Sequence, residues 1–550
     1  MQAAPSVCRA GGNYRPAILM EAPAPTHFGN RDRMQAIPHR ITATSLLLAL
    51  SVLSILSSGC TGPVRFPEPP PRTETLHQPG PSNSELARVV DRLTAAHPGQ
   101  TGVYPVTTAQ DALAVRLAAV RAAQRSVDIQ YFIFRRDESG RLLTHELVDA
   151  ADRGVRVRFL LDDFTTGDSI PLLAALDQHD NIEVRLFNPF PKRSTRAIEL
   201  LADFCRLQRR MHNKAFTVDG RVTFIGGRNL SDKYFGIDNQ QVFHDLDMIT
   251  IGASLPAINR QYDVYWNSPF SFPLRTVVAG SLYRNHRAER YSELQQSAHR
   301  LLSSEYGQSL QQSPIIPALT ASDELWYWGT AEVLVDPPQK IAAPAGGRAR
   351  YASDRLMRAI TGADHRLIII SPYMLPGQYY FQALLEAAKR GVEIHLLTNS
   401  LASSDLVLVH GPYHKYRIPM LRAGIHLYEM SATLDFENNH WHEDSRSLLH
   451  AKLFAMDERL IYAGSFNLDQ RSLYLNTELG LLLDSPELAE KITNNFVANI
   501  KDNAFALSLH EGALVWTAPD GSILHRDPGA SSLQRLGARL SSWLPIEHLL

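Results

Sequence analysis

Cysteine is nearly absent from this chain: three in 550 residues, Cys8, Cys60 and Cys205. So few thiols give no disulfide framework, and Cys205 reads as a small, half-buried hydrophobe. An excess of either charge is missing as well. Lys and Arg number 55 against 56 Asp and Glu, a formal charge of −1, which excludes a whole-chain polycation built for nucleic acid and leaves room only for a local basic patch. The apolar run from Leu46 to Leu56 is too short for a transmembrane helix. What is present is an ordinary globular composition, 44% hydrophobic and 20% charged, with material for more than one core.

The amino end stands apart from the fold. Residues 1–33 hold several Pro and Gly without sustained periodicity, which predicts disorder or a true start at Met34. From Met34 the order is His39 and Arg40, the apolar run, then Ser57-Ser58-Gly59-Cys60, so residues 34–60 read as a secretory signal. Small residues leading into Cys60 resemble a bacterial lipoprotein processing site, which implies a lipidated Cys60 and a periplasm-facing protein of the cell envelope. Ser57 stands where an aliphatic residue is commoner, so ordinary cleavage, or none, stays open. Residues 61–84, rich in Pro and Ser, read as a flexible tether.

The chemistry concentrates in Leu449 to Gly480. His450 and Lys452 are two apart and share a face if the segment is a strand, which puts an imidazole beside a fixed positive charge. Asp457 falls at a turn, and Gly464-Ser465 leads to Asn467. A cation, an amide and exposed backbone suit an anionic oxygen, and the histidine is the group able to attack or move a proton near neutral pH. The same spacing recurs from Met211 to Phe235. From His212 and from His450 alike, lysine stands at +2 (Lys214, Lys452), aspartate at +7 (Asp219, Asp457), glycine at +14 (Gly226, Gly464) and asparagine at +17 (Asn229, Asn467).

The scaffold is duplicated with the motif. Helical patterns at Ala109–Arg125 and Leu142–Arg153 alternate with strand patterns at Val127–Phe134 and Val155–Asp162, and the order returns after Leu356. Arg153-Gly154-Val155 and Arg390-Gly391-Val392 lie 237 residues apart, the histidines 238. The expectation is a first half over 85–275, a connecting segment over 276–345, a second half over 346–510 and a C-terminal extension over 511–550.

Paired H-x-K-x(4)-D segments followed by Gly-Gly/Ser-x-Asn resemble the phospholipase D superfamily. Within it the chain is most similar to the C-type bacterial cardiolipin synthases, through Arg209 to Lys214, Leu186 to Phe190, Thr398 to Ala402 with His410, and Trp543 to Glu547. The resemblance implies an α/β fold: two tandem α/β/α sandwich halves with mixed sheets packed face to face and the active site at their interface. It implies catalytic residues among His212, Lys214, Asp219, His450, Lys452 and Asp457, with His212 as nucleophile and His450 as acid/base, the reverse staying open by symmetry. Asp219 and Asp457, at turns, are expected to bond nearby backbone. Asn229, Ser465 and Asn467 would bind the substrate phosphate. Asp245 and Glu478 would each orient the histidine of the opposite half, with Asp247 a competitor for Asp245. No metal and no cofactor are expected.

Other features carry blander readings. His440 and His442 beside Trp441 lack metal-ligand spacing and read as a surface loop. Asp405, His410 and Tyr413 are substrate contacts or packing. Trp326, Tyr327 and Trp328 read as core or interface aromatics. Lys192 to Arg210 is a charged amphipathic helix or an element that meets anionic lipid, and Leu533 to Leu550 is amphipathic enough to dock on the protein or a membrane. Three functions follow: transfer of a phosphatidyl group between phospholipids to make cardiolipin from phosphatidylglycerol, with phosphatidylethanolamine a possible second partner; hydrolysis, as a phospholipase D or an endonuclease; or a catalytically idle, membrane-tethered scaffold. The secretion signal and balanced charge argue against nucleic acid. No protein partner is named by any residue.

Overall fold

The computed structural model describes residues 64–238, 241–283, 287–343, 352–432, 446–544 and 546–550. Residues 1–33, the expected signal segment with Cys60, and the loop holding His440 and His442 lie outside the described residues.

In the first half, β1 (Thr101–Val106), β2 (Ser126–Tyr131), β3 (Arg156–Asp162), β4 (Ile182–Phe187), β5 (Ala215–Val218), β6 (Val222–Gly226), β8 (Asp247–Gly252) and β9 (Ser271–Pro273) form a sheet, while β7 (Gln241–His244) stands outside it. The order is β9-β4-β3-β2-β5-β6-β8-β1, with β2, β3 and β4 parallel and the other pairs antiparallel. Parallel neighbours need crossovers, which the helices Glu138–Asp152 and Ile170–Leu176 supply.

The second half repeats this plan. It uses β10 (Tyr327–Val335), β11 (Arg366–Ile370), β12 (Glu393–Asn399), β13 (His426–Met430), β15 (Leu453–Met456), β16 (Leu460–Gly464), β17 (Leu479–Asp484) and β18 (Ala504–His510), with β14 (Arg446–Leu449) pairing β7 instead. The order is β18-β13-β12-β11-β15-β16-β17-β10. Gly154 and Gly391 end matching crossover helices at φ 92 and 95, a left-handed conformation that explains the repeated Arg-Gly-Val.

Strand side chains alternate between two environments. Phe216, Val218 and Phe224 lie under the helices of the first half, whereas Ala215 and Ile225 face Leu479 of the second. Leu246 and Met248 likewise meet Leu453, Ala455, Ile461 and Ala463. The two sheets therefore pack face to face, and β10 also joins them edgewise: Tyr327–Gly329 pair with β1 while Thr330–Val335 pair with β17.

Several segments depart from expectation. The strands begin at Ala215 and Leu453, so both His-x-Lys pairs sit in extended chain just before a strand. Residues 64–84 do not hang free as a tether, because buried polar side chains of the first sheet need acceptors that the segment provides. Arg158 Nη1 donates to Thr75 O (2.9 Å), Arg185 Nη2 to Thr73 O (2.7 Å) and Ser126 Oγ to Gln78 O (2.6 Å), while Phe66 packs edge-on against Phe270. The connecting segment is mostly helical, and Leu294, Ala298, Leu301, Leu310, Ile315 and Leu319 complete the first-half core. Cys205 is half-buried, as expected of a small side chain at that position.

Candidate active site

Two extended segments meet where the carboxyl ends of the parallel strands of both halves converge. Each is fixed by its own half and then by the other. Arg210 is buried against Asp162, the last residue of β3, with Nε 2.8 Å from Oδ1, and Met211 N donates to the same carboxylate at 2.8 Å. One residue on, His212 N donates to Thr477 O (2.9 Å) and Thr477 N to Arg210 O (2.9 Å). In the second segment Asn399, the last residue of β12, brackets Leu449 with two bonds of 2.9 Å, and His450 N donates to His244 O (2.8 Å).

This exchange of backbone brings each carboxylate to the other half's imidazole. Glu478 Oε2 lies 2.9 Å from His212 Nδ1, and Asp245 Oδ2 lies 2.6 Å from His450 Nδ1. Because Nδ1 faces a carboxylate it carries the hydrogen, and Nε2 keeps its lone pair for the site. Lys214 Nζ donates to His212 O (2.7 Å), and Lys452 Nζ lies 3.0 Å from His450 Nδ1. All four side chains are buried.

Burial governs the charges. It lowers His212 to about 4, against the pull of Glu478 and with the push of Lys214. His450 falls well below its ordinary value through burial and then Lys452, Lys214, His212 and Arg228. Lys214 comes down to about 7 and Lys452 to about 8, again chiefly by burial. Burial raises Asp245 to about 6, whereas Glu478, pushed up by burial, is held below its usual value by His212, Lys214 and Ser465. These shifts favour the uncharged form of both imidazoles near neutral pH, beside two lysines that an anion would complement.

The remaining candidates divide. Asp219 accepts from the backbone N–H groups of Gln124, Arg125 and Ser126 at 2.8–3.0 Å, and Asp457 from those of Asp364, His365 and Arg366 at 2.8–3.0 Å. Both acids occupy left-handed turns, φ 51 and 53, and clasp the start of β2 or β11, the backbone bonding expected of acids at turns. Ser465 is not free to hold phosphate, because its hydroxyl donates to Glu478 Oε2 and accepts from Leu479 N. Asn229 Oδ1 accepts from Ile133 N (3.1 Å) and its amide donates one hydrogen to Tyr234 Oη (2.9 Å), leaving the second, while Asn467 Oδ1 has no hydrogen-bond partner among the described residues. Asp247 turns away to Arg116 (2.7 Å) and Arg228 (3.6 Å).

The arginines of the 192–210 segment turn inward: Arg193 to Asp163, Arg206 to Asp203 and Asn188, Arg210 to Asp162. His410 lies toward Asp527 of the C-terminal extension and Tyr413 toward Arg417 of the second half, whereas Asp405 accepts from Tyr373 Oη (2.9 Å). Sequence reasoning missed Tyr234, whose buried hydroxyl stands 3.5 Å from His450 Nε2, and Ser472, which donates to Glu478 Oε1 (2.8 Å). It missed Phe132 too, edge-on to His212 at 5.2 Å. A hydroxyl at +22 from each histidine was the available signal for the first two.

Comparison with known proteins adds the following. A family model described as "Cardiolipin synthase, PLD-like domain" matches residues 117–262 and 356–500. The chain is 39% identical over 478 residues to cardiolipin synthase C of Escherichia coli (strain K12), covering 84% of this chain and 99% of that one. It is 24% identical over 443 residues to a cardiolipin synthase of Geobacillus thermodenitrificans, covering 80% and 74%. Among solved structures, the phosphatidylserine synthase of Haemophilus influenzae Rd KW20 matches with a TM-score of 0.53 at 12% identity over 84% of this chain and 99% of that one, a likeness of fold.

Proposed function

The chain belongs to the cardiolipin synthase family of phospholipase D-like proteins, and from that premise we propose that it is a phosphatidyltransferase making cardiolipin from phosphatidylglycerol and a second phospholipid. The observation that carries this reading is the pair of histidines, each backed through Nδ1 by a carboxylate of the opposite half.

His212 Nε2 attacks the phosphorus of the donor, and the bond from phosphorus to the glycerol headgroup oxygen breaks as His450, protonated once the substrate anion is bound, gives that oxygen its proton. The product of this step is a phosphatidyl group on His212. The acceptor hydroxyl then enters, His450 takes its proton, and the acceptor oxygen displaces His212 from phosphorus. Lys214, Lys452, Asn467 and the second amide hydrogen of Asn229 hold the non-bridging oxygens while charge develops on them. With water as acceptor, the same residues would perform hydrolysis.

Among the described residues no helix is long and apolar enough to cross a membrane. The proposed attachment is a lipidated Cys60 behind a cleaved signal, facing the periplasm. The test of function incubates purified protein with phosphatidylglycerol, with and without phosphatidylethanolamine, and resolves the lipids. Cardiolipin is the expected product, and phosphatidic acid alone would replace the synthase with a lipase.

A further inference from the structure

The helix Ser532–Ser542 is amphipathic, but it packs the wrong way round for an ordinary surface helix. Its buried residues are the small ones, Ala538 and Ser541. They close onto the helix Val407–Arg422 at Gly411, where a Cβ would meet Ser541 Oγ at 2.0 Å and Ala538 O at 2.3 Å. Its large apolar residues face outward. Leu533 is 81% exposed, Leu536 51% and Trp543, just past the helix end, 82%, with half-buried Leu540 between them. These positions fall at i, i+3, i+7 and i+10, one continuous stripe.

A folded chain surrounded by water gains nothing from that arrangement, since each exposed Leu or Trp forgoes the transfer energy that burial would return. The charge beside the stripe identifies the covering phase. From Ser531 to Trp543 there is no acidic residue, and Arg535 and Arg539 flank the apolar positions, Arg539 exposed. A stripe of Leu and Trp bordered by Arg is complementary to anionic phospholipid headgroups over acyl chains.

The stripe is connected to the catalytic segment. Leu549, a few residues beyond Trp543, packs against Phe204, and Arg471 donates to both Leu549 O and Gln208 O. The helix preceding Phe204, Arg196–Ala202, exposes Ile198 (65%) and Leu201 (54%), and Arg209 and Arg210 then lead into His212.

We propose that the outward stripe of Leu533, Leu536 and Trp543 lies in the headgroup region of a bilayer rich in anionic phospholipid and, with Ile198 and Leu201, holds the active site against its substrate. The proposal rests on the reading of phospholipid as substrate only in its second half; the bilayer contact stands on the helix itself.

The experiment uses the full chain with vesicles of phosphatidylglycerol and phosphatidylcholine in equal parts, brominated on the acyl chains, because bromine quenches indole only at contact. Trp266, Trp326 and Trp516 are buried and Trp328 is half-buried, and the share of Trp543 is isolated as the difference between the parent chain and Trp543→Phe. Quenching that is larger in the parent chain than in Trp543→Phe is expected; equal quenching overturns the contact. In the second arm, Leu533→Gln with Leu536→Gln lowers turnover on vesicles about tenfold and leaves turnover of short-chain phosphatidylglycerol, held below its micelle concentration, unchanged. A loss on both substrates, or on neither, overturns the role in substrate delivery. A Trp543→Cys chain that cross-links to a second copy in the absence of lipid makes the stripe a protein interface and also overturns it. Quenching by bromolipid in a chain that makes no cardiolipin would remove the proposed activity and leave the bilayer contact in place.

Discussion

His212 and His450 face the same site, each with a lysine two residues on, yet the carboxylates behind them live in different surroundings. Glu478 receives the hydroxyls of Ser465 and Ser472 as well as His212. Asp245 receives Leu246 N (2.8 Å) besides His450 and, among the described residues, no hydroxyl. Gly227 explains the difference, because a Cβ there would stand 2.1 Å from Asp245 Oδ1, and no side chain fits where the second half has Ser465. Burial therefore raises Asp245 to about 6 while Glu478 stays below its usual value. A carboxylate that remains charged suits a histidine that becomes cationic when its Nε2 joins phosphorus. One that surrenders its charge more readily suits a histidine that gains and loses a proton in each half-reaction.

The comparison is tested hardest at the histidines. His212→Ala and His450→Ala each cut turnover about ten-thousand-fold, as loss of a member of a cooperating set does. A trapping measurement then separates them. With labelled phosphatidylglycerol, an acid-labile lipid adduct forms on the His450→Ala protein and not on His212→Ala; the opposite pattern would exchange the two roles.

The carboxylates come next. Asp245→Asn and Glu478→Gln each lower kcat roughly a hundredfold but move stability in opposite directions. The carboxyl of Asp245 is raised in the folded chain, so it costs stability above pH 6, and the cost fades as pH falls from 6 toward 3.8, below which the folded and unfolded forms are both protonated. Glu478 is lowered, so its contribution is present above 4.5 and lost as pH falls through its folded value. At pH 7.5 the thermal midpoint should rise in Asp245→Asn and fall in Glu478→Gln, the gap closing toward pH 4. Thermal midpoints that shift together would show that the two surroundings are equivalent. Gly227→Ala, which displaces Asp245, should lose as much activity as Asp245→Asn, whereas Ser465→Ala, which leaves Glu478 its Ser472 bond, should lose roughly tenfold.

Much of this was legible in the sequence because duplication leaves a constant offset. The two-half α/β architecture follows from Arg-Gly-Val and His-x-Lys recurring at nearly one spacing, and the crossover helices follow from apolar periodicity. The docking of residues 64–84 was not legible. That segment is rich in Pro and Ser, and its order comes from carbonyls that Arg158 and Arg185 reach from strands far along the chain. Ser465 was misplaced for a similar reason: a hydroxyl beside Asn467 suits a phosphate equally well, and only the fold shows Glu478 already holding it. Tyr234 escaped because the copies carry different residues at that position, Tyr in one and Ser in the other.

That difference also sets the smallest effect. In the neutral site His450 Nε2 offers a lone pair, and Tyr234 Oη, which accepts from Asn229, has its hydrogen free to point at it across 3.5 Å. A hydrogen bond to the unprotonated ring favours that form, alongside burial and the cations Lys452, Lys214 and Arg228, and against Asp245. Tyr234→Phe removes the O–H, so His450 should hold its proton to higher pH. The acid limb of the kcat profile, where His450 must act as base, should then move up by about half a pH unit, with turnover on that limb falling about threefold. Ser472→Ala should leave that limb in place, since its hydroxyl serves Glu478 on the other side of the site. A limb that moves equally in both variants would mean that the hydroxyls at +22 act through packing and not through the histidine they face.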